Sequence, residues 1–124
     1  MANKFGVKVG DVFYASWGYE QTNNNFFQVV ELVGESSVRV REVRPIANDI
    51  KLNTSMSGDF TYDLSGVLDP VPFSVFIKDN ERGDLKRLKS YRKDGTHPQF
   101  RLSSYADAYL VEGNEITLYE SWYY

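Results

Sequence analysis

The sequence predicts an all-β protein, either a small antiparallel barrel of the SH3-like type or a sandwich. Short segments of alternating apolar and polar residues recur along the chain and are separated by Gly, Asn and Asp. No stretch carries an apolar stripe at helical spacing over three turns. The chain has 124 residues, a common size for one domain, so residues 1–124 are expected to form a single β-rich domain.

The best-defined element in the sequence is a hairpin. Its two strands are residues 26–33 and residues 37–43, joined by the connection Gly34-Glu35-Ser36. The first strand is apolar on both faces at its start. In the second segment apolar and charged residues alternate, so one face carries the valines and the other the arginines: Val38 and Val40, Arg39 and Arg41. Residues 7–17 are predicted as a preceding strand that bends at Gly10-Asp11 and whose core-facing residues are Val7, Val9 and Phe13.

The alternation weakens from residue 44 to residue 69. Pro45, the Asn48-Asp49 pair and residues 55–58 favour loop, whereas residues 60–64 alternate as in a short strand. Further strands are predicted at residues 73–77, 85–92, 99–104 and 114–119, with an Asp94-Gly95 turn between the second and the third of them. One short helix, capped by Asp84 and including Leu85 and Leu88, is the alternative for its segment.

The composition excludes several kinds of functional site. The chain has no cysteine and one histidine, which rules out disulfides, thiolate chemistry and multi-histidine metal sites. His97 precedes Pro98 in a turn-rich segment, no carboxylate pair has metal spacing, and no glycine-rich phosphate loop is present. We therefore expect a protein that is not an enzyme and that has no cofactor and no metal.

The aromatic residues indicate binding instead. The chain has two Trp, nine Tyr and eight Phe, more than a small core usually holds, and Tyr and Trp are enriched at interfaces. The densest cluster is Ser16-Trp17-Gly18-Tyr19-Glu20-Gln21-Thr22-Asn23, between the first two strands. In a binding loop, Trp17 and Tyr19 stack on the partner while Gln21 and Asn23 read its edges. In the alternative, Trp17 closes the end of the barrel and Asn23 satisfies turn backbone.

This cluster has the form Ser-Trp-Gly-Tyr-x-Gln-Thr-Asn and is followed by Phe26-Phe27-Gln28-Val29-Val30. It resembles a small family encoded by bacteriophages and other bacterial mobile elements. The segments Gly10-Asp11-Val12-Phe13-Tyr14 and Ser104-Tyr105-Ala106-Asp107-Ala108-Tyr109 are similar to the same family. The resemblance covers the first third and the last quarter of the chain, and it does not extend to residues 45–93. It implies a bacterial host and supplies no established functional residues.

Charge is unevenly distributed around a net value of −3. Residues 78–101 carry eight basic and four acidic side chains, whereas the residues after 101 carry four acidic side chains and no basic one. A basic patch in residues 86–93 could bind nucleic acid or an acidic protein face, and it is also compatible with a solvated surface. Its cations are Lys86, Arg87, Lys89, Arg92 and Lys93. The acidic, aromatic C-terminus Tyr119-Glu120-Ser121-Trp122-Tyr123-Tyr124 is expected to dock its aromatic residues on its own domain or on another chain. With Glu112 and Glu115 it could form an acidic face that mimics DNA.

We therefore expect a non-enzymatic binding protein of phage or mobile-element origin that engages a host macromolecule, with inhibition of a host defence system as one role. A host protein is the first choice of partner. The candidate binding residues are Trp17, Tyr19, Gln21, Asn23, Tyr105, Tyr109 and Trp122. A nucleic-acid-binding domain and a small-ligand pocket near Trp17 are the alternatives, and a homo-oligomer is compatible with each. The N-terminus lacks a signal-peptide core and no apolar run could span a bilayer, so a cytoplasmic location without membrane contact is expected.

Overall fold

The computed structural model describes residues 3–17, 23–54, 57–72, 74, 76–90, 98–103 and 106–121. This part of the chain forms strands and no helix, which confirms the all-β prediction. The strands are β1 (Val12–Trp17), β2 (Asn23–Val33), β3 (Ser37–Val43), β4 (Ile46–Thr54), β5 (Ser57–Asp63), β6 (Asp84–Arg87), β7 (Gln99–Ser103), β8 (Ala106–Leu110) and β9 (Glu115–Ser121). A search of the described ranges finds no helix with the length and apolarity to cross a membrane.

Most of the strands belong to one antiparallel sheet in the order β6-β3-β2-β1-β8-β7. Its two ends meet, because Lys89, just after β6, exchanges two backbone hydrogen bonds with Gln99 of β7. The N–H of Lys89 donates to the Gln99 carbonyl over 2.9 Å, and the N–H of Gln99 donates to the Lys89 carbonyl over 2.8 Å. The sheet is thereby nearly closed, as predicted for a small antiparallel barrel.

Alternate residues of the strands fill the interior of this barrel. Phe13, Phe27 and Phe100 are fully buried. The ring centroids of Phe13 and Phe100 are 4.9 Å apart, and those of Phe27 and Phe100 are 6.0 Å apart. Val38 and Val40 belong to the same core, as the alternation of β3 predicts. Tilted and edge-on ring pairs add to the stabilisation from apolar burial, so the barrel has a well-packed aromatic centre.

Strands β4, β5 and β9 form a second sheet, which packs against the outside of the barrel. Val12, Phe26 and Val43 of the barrel contribute to this contact together with Tyr62 of β5, and the Phe26 and Tyr62 ring centroids are 4.7 Å apart. The second sheet explains why β2 is apolar on both faces at its start. Phe27 belongs to the barrel interior and Phe26 to the contact between the sheets.

A buried glutamine joins the barrel to two loops. Gln28 of β2 is 4% exposed. Its side-chain nitrogen donates to the carbonyl oxygens of Gly10 at 3.1 Å and Gly66 at 2.8 Å, and its side-chain oxygen accepts from the N–H of Leu68 at 2.9 Å. A buried amide with three partners avoids the cost of an unsatisfied polar group. Gln28 therefore holds the loop before β1 and the loop after β5 against the barrel.

The predicted loop at Asn48-Asp49 is wrong, because both residues belong to β4, which pairs with β5. The pairing shifts between Ala47 and Asp49 and again between Leu52 and Thr54, so β4 carries one extra residue at each place. Such bulges interrupt the two-residue alternation by which strands are recognised. The strand predicted at residues 60–64 is confirmed within β5, which begins three residues earlier, at Ser57.

The strand predicted at residues 73–77 is also wrong for the described residues of that segment. Ser74, Phe76 and Ile77 are not in a strand. The hydroxyl oxygen of Ser74 instead accepts hydrogen bonds from the N–H groups of Phe76 at 3.2 Å and Ile77 at 3.0 Å, which makes a turn. Phe76 and Ile77 are nevertheless buried in the barrel core. Their hydrophobicity indicates burial correctly, but they reach the core from a loop.

Two further predictions, the burial of Val9 and the helix near Leu85, are wrong. Val9 is 57% exposed, because β1 begins only at Val12, after a turn in which Gly10 has a φ of 98°. The helix alternative near Leu85 is wrong, since Asp84–Arg87 is β6. The strands predicted at residues 99–104 and 114–119 are confirmed as β7 and β9. The predicted Asp94-Gly95 turn lies outside the described residues.

Candidate functional site

The predicted binding cluster is attached at one end of the β1–β2 pair. Trp17 and Asn23 lie opposite each other in the backbone pairing of these strands. Tyr19 and Gln21 lie outside the described residues, as do the side chains of Trp17 and Asn23. The structure therefore shows where the 16–23 cluster is connected to the barrel. Its two alternative roles, a binding loop and a plug at the end of the barrel, both stay predictions.

A cleft opens beside this end of β2, at the junction of the barrel and the second sheet. Its volume is about 250 Å³. The residues next to Asn23 in the chain contribute to its wall, because its polar lining residues are Asn24, Asn25, Glu42 and Arg44. Its apolar lining residues are Phe26, Val43, Pro45, Tyr62 and Val71. The cleft thus combines an aromatic and aliphatic surface with amide and charged groups, the usual mixture in a recognition site.

Glu42 is the buried charged group of this cleft. It is 8% exposed and follows Val40 at the end of β3. One carboxylate oxygen, Oε2, accepts from Nδ2 of Asn25 at 3.1 Å, and Oε1 accepts from the hydroxyl of Ser74 at 2.5 Å. A carboxylate is expensive to bury without such donors, and hydrogen bonds to an ionised oxygen are stronger than neutral ones. Glu42 therefore links three separate segments in the wall of the cleft.

Asn80 holds the backbone of the same strand end. Its Oδ1 accepts from the N–H of Glu42 at 2.7 Å, and its Nδ2 donates to the carbonyl oxygens of Glu42 at 3.0 Å and Val71 at 2.8 Å. The amide of Asn80 thereby replaces the hydrogen bonds that a neighbouring strand would make. Val71, which lines the cleft, is fixed in place by this bond and by its own N–H, which donates to Glu42 over 3.1 Å.

Tyr62 supplies the aromatic wall. Its ring packs against Phe26, and the Phe60 ring lies 6.3 Å away. Burial raises the pKa of Tyr62 well above its ordinary value, and a hydrogen bond to Glu120 and the negative charge of that residue raise it further. Tyr62 is therefore a neutral phenol at physiological pH, a hydrogen-bond donor and not a base or a nucleophile.

The chemistry of the cleft favours recognition. Small-molecule sites usually enclose roughly 300–1,000 Å³, so a cleft of about 250 Å³ fits one large side chain of a partner better than a cofactor. Within the described ranges, no group of three or more His, Cys, Asp or Glu residues is placed to hold a metal ion. Both oxygens of Glu42 already accept hydrogen bonds, so its carboxylate organises the wall of the cleft.

Of the predicted binding residues, Tyr109 is the one whose side chain lies in the described part of the structure. It is 42% exposed on β8, and its ring centroid lies 6.2 Å from that of Tyr14 on β1. The backbones of Tyr14 and Tyr109 are paired, so segments 10–14 and 104–109, which carry the resemblance, include neighbouring strands of the barrel. The other candidates lie outside the described residues: Tyr105 and Trp122, the cations Arg92 and Lys93, and also His97.

The basic segment does not present its described charges on one face. Lys86 and Arg87 are neighbours on β6, and successive residues of a strand point to opposite faces. Arg87 is exposed and Lys86 is half-buried. Lys89, which is also half-buried, lies at the closure of the barrel beside Gln99. The strand conformation therefore separates cations that are adjacent in the sequence.

Sequence analysis alone does not identify Glu42 or Tyr62 as parts of a site. A signal for Glu42 exists, because it follows Val38 and Val40 at intervals of two and so falls on the core-facing side of β3. A charged residue at such a position is uncommon and indicates a special environment. Tyr62 has no comparable signal, since its role depends on the packing of the second sheet on the barrel.

Comparison with known proteins adds no assignment: the chain matches no protein-family model, no curated protein and no solved structure.

Proposed function

We propose that this protein is a non-enzymatic binding protein of phage or mobile-element origin. In this proposal it engages a host protein with the end of the barrel at which β1 and β2 meet the 16–23 cluster, and it thereby inhibits a host defence system. The observation that carries the proposal is the cleft of about 250 Å³ that starts one residue from Asn23. The phage setting rests on the resemblance of the 10–30 and 104–109 segments.

The construction of the cleft supports a role in protein recognition. Its walls are held by part-buried hydrogen bonds of Glu42 and Asn80 and by the packed ring of Tyr62, so little ordering is needed when a partner binds. A preformed pocket that combines apolar walls with a few placed polar groups is a usual receptor for an anchoring side chain in a protein interface. Trp17 and Tyr19, in the adjacent cluster, are residue types enriched at such anchors.

The test begins with the tagged chain, purified from a bacterial host at near-physiological salt. A stoichiometric host protein is identified by mass spectrometry, purified separately and titrated with the wild-type chain by calorimetry. We expect Trp17→Ala, Tyr19→Ala and Arg44→Glu each to weaken this binding at least about tenfold, the effect of losing one good interface contact. Arg44 is suitable because it lines the cleft and is exposed.

Lys78→Glu is the matched control, because Lys78 is also an exposed cation and does not line the cleft. It should bind within about twofold of the wild type, and every variant should unfold cooperatively near the wild-type temperature. Equal binding by Arg44→Glu and the wild type would refute the cleft as the contact. Nucleic acid that co-purifies and is removed by salt would favour the basic segment instead. A chain that captures no macromolecule at all would refute the proposed function.

A further inference from the structure

Strand β4 forms an open edge of the second sheet. The strand order is β4-β5-β9, and among the described residues β4 pairs with β5 alone. The opposite edge, β9, meets the barrel, where Nδ2 of Asn24 donates to the carbonyl oxygen of Tyr119 at 3.0 Å. An open edge presents backbone groups that can pair with another strand. The two edges of this sheet therefore differ: the barrel contacts β9, and it leaves β4 available.

The apolar surface of the second sheet continues to this open edge. Ile50 and Leu52 lie opposite Phe60 and Gly58 of β5, so all four share the face that packs on the barrel further along. Ile50 is 52% exposed and Leu52 is 63% exposed. Two large aliphatic side chains next to each other at an unpaired edge are unusual in a monomer and indicate an interaction surface.

Two bulges limit the part of β4 that another strand can join. They lie between Ala47 and Asp49 and between Leu52 and Thr54, which leaves Asp49–Leu52 as a regular segment. Bulges and lysines usually protect an edge strand from pairing. Here both bulges lie outside the regular segment, and its single lysine, Lys51, is two residues from an aspartate, Asp49. The segment is therefore short and regular. It carries one negative and one positive charge, and a partner strand with charges of the opposite sign at the facing positions can neutralise both.

We propose that the β4 edges of two copies of this chain pair antiparallel around a two-fold axis at Ile50. In that register Asp49 of each copy lies opposite Lys51 of the other, and the two Ile50 side chains meet on the apolar face. A two-fold axis at Asp49 would instead place two aspartates opposite each other, and an axis at Lys51 would place two lysines opposite each other. Opposite charges across strands stabilise pairing and like charges oppose it. Of these three registers, charge complementarity selects the one centred on Ile50.

The paired edges would join two three-stranded sheets into one continuous sheet. The exposed side chain of Ile50 would then pack against its symmetry mate, and Leu52, which lies opposite Asn48 in this register, would lie diagonally beside the partner's Ile50, which removes part of the apolar surface from water. The contact is short, because the regular segment is Asp49–Leu52, so the dimer belongs to the small, transient class of interfaces. This inference does not depend on the proposed host-protein contact, because none of the residues Asp49–Leu52 lines the cleft.

Charge reversal tests the register directly. Sedimentation velocity of the full chain, from about 10 μM to about 1 mM at low salt, should show a monomer of 14.3 kDa in exchange with a dimer. Asp49→Lys and Lys51→Asp each place like charges opposite one another twice in the dimer. Each should raise the dissociation constant by about tenfold or more. Mixing the two variants restores two opposite-charge pairs, so the mixture should form a heterodimer at least as well as the wild type dimerises.

A control separates register from net charge. Lys8→Asp changes the charge as Lys51→Asp does, at an exposed position outside the second sheet, and it should dimerise like the wild type. The doubly reversed chain Asp49→Lys/Lys51→Asp should also dimerise, because its pairs are complementary again. A wild type that is monomeric over the whole concentration range would overturn the proposal. A dimer that tolerates both single reversals, or a mixture that does not associate, would overturn the register.

Discussion

Among the described residues, Gln28 and Gln99 are buried glutamines of the barrel, and replacing them tests how this fold is stabilised. Gln28 makes three hydrogen bonds to the loops before β1 and after β5, whereas Nε2 of the buried Gln99 has no partner among the described residues. Methionine has nearly the same volume as glutamine, so replacement by Met removes the hydrogen bonds without opening a cavity. The difference between the two variants therefore reports the hydrogen bonds.

The expected magnitude follows from the contacts. Each hydrogen bond of Gln28 contributes about 1 kcal/mol, and Met leaves the N–H of Leu68 without its acceptor, so Gln28→Met should lower the free energy of unfolding by about 3 kcal/mol. Gln99→Met removes a buried, unpartnered donor and should change it by less than about 1 kcal/mol, in either direction. For a chain of 124 residues, the first change corresponds to a fall in Tm of about 10 °C.

Urea denaturation, monitored by circular dichroism, measures the free energy of unfolding of both variants and of the wild type. Equal m-values check that all three expose the same amount of surface on unfolding. Equal losses for the two variants would refute the reasoning, because the hydrogen bonds of Gln28 would then contribute nothing beyond its volume. A larger loss for Gln99→Met would show that the Gln99 side chain, and not Gln28, fastens the surface of the barrel.

Two other predictions concern the second sheet and a turn. Burial and Glu120 raise the pKa of Tyr62, so above a pH of about 10 the folded protein keeps the proton of the Tyr62 hydroxyl whereas the unfolded chain loses it. The free energy of unfolding should therefore fall as pH rises above about 10. Tyr62→Phe should remove that part of the slope in urea titrations at alkaline pH. Gly83 has a φ of 90°, and an added Cβ would lie 3.0 Å from the carbonyl oxygen of Val40, whereas Gly34 has a φ of 61° and open space. Thermal melts should show a loss of about 3 kcal/mol for Gly83→Ala and about 1 kcal/mol for Gly34→Ala.

Regular alternation made the barrel predictable. Residues 37–43 keep strict period two, and the structure reproduces both the bounds of β3 and the burial of Val38 and Val40. The pairing of β2 with β3 follows from their short connection. Where one face of a strand contacts the core and the other contacts solvent, the sequence has to alternate, so pattern and structure agree.

The second sheet was hidden for a physical reason. β4 carries extra residues at two bulges and exposes most of its side chains, so neither alternation nor hydrophobicity distinguishes it from a loop. β8 was also missed, because Ala106 and Ala108 face the core with small side chains that give little hydrophobic signal. Phe76 and Ile77 show the opposite case, in which buried residues lie in a turn and not in a strand.

The departures from regular alternation coincide with the two surfaces that are proposed to bind other molecules. At the cleft, Glu42 occupies a core-facing position where alternation predicts an apolar residue, and its two part-buried hydrogen bonds stabilise a carboxylate there. At the open edge, Ile50 and Leu52 are exposed where a solvated strand would carry polar side chains. Folding alone would favour valine or leucine at position 42 and polar residues at positions 50 and 52. The Glu42 exception is explained within the chain, because Asn25 and Ser74 satisfy its carboxylate. Folding alone does not require exposed aliphatic residues at positions 50 and 52, and the proposed pairing of two β4 edges would account for that second exception.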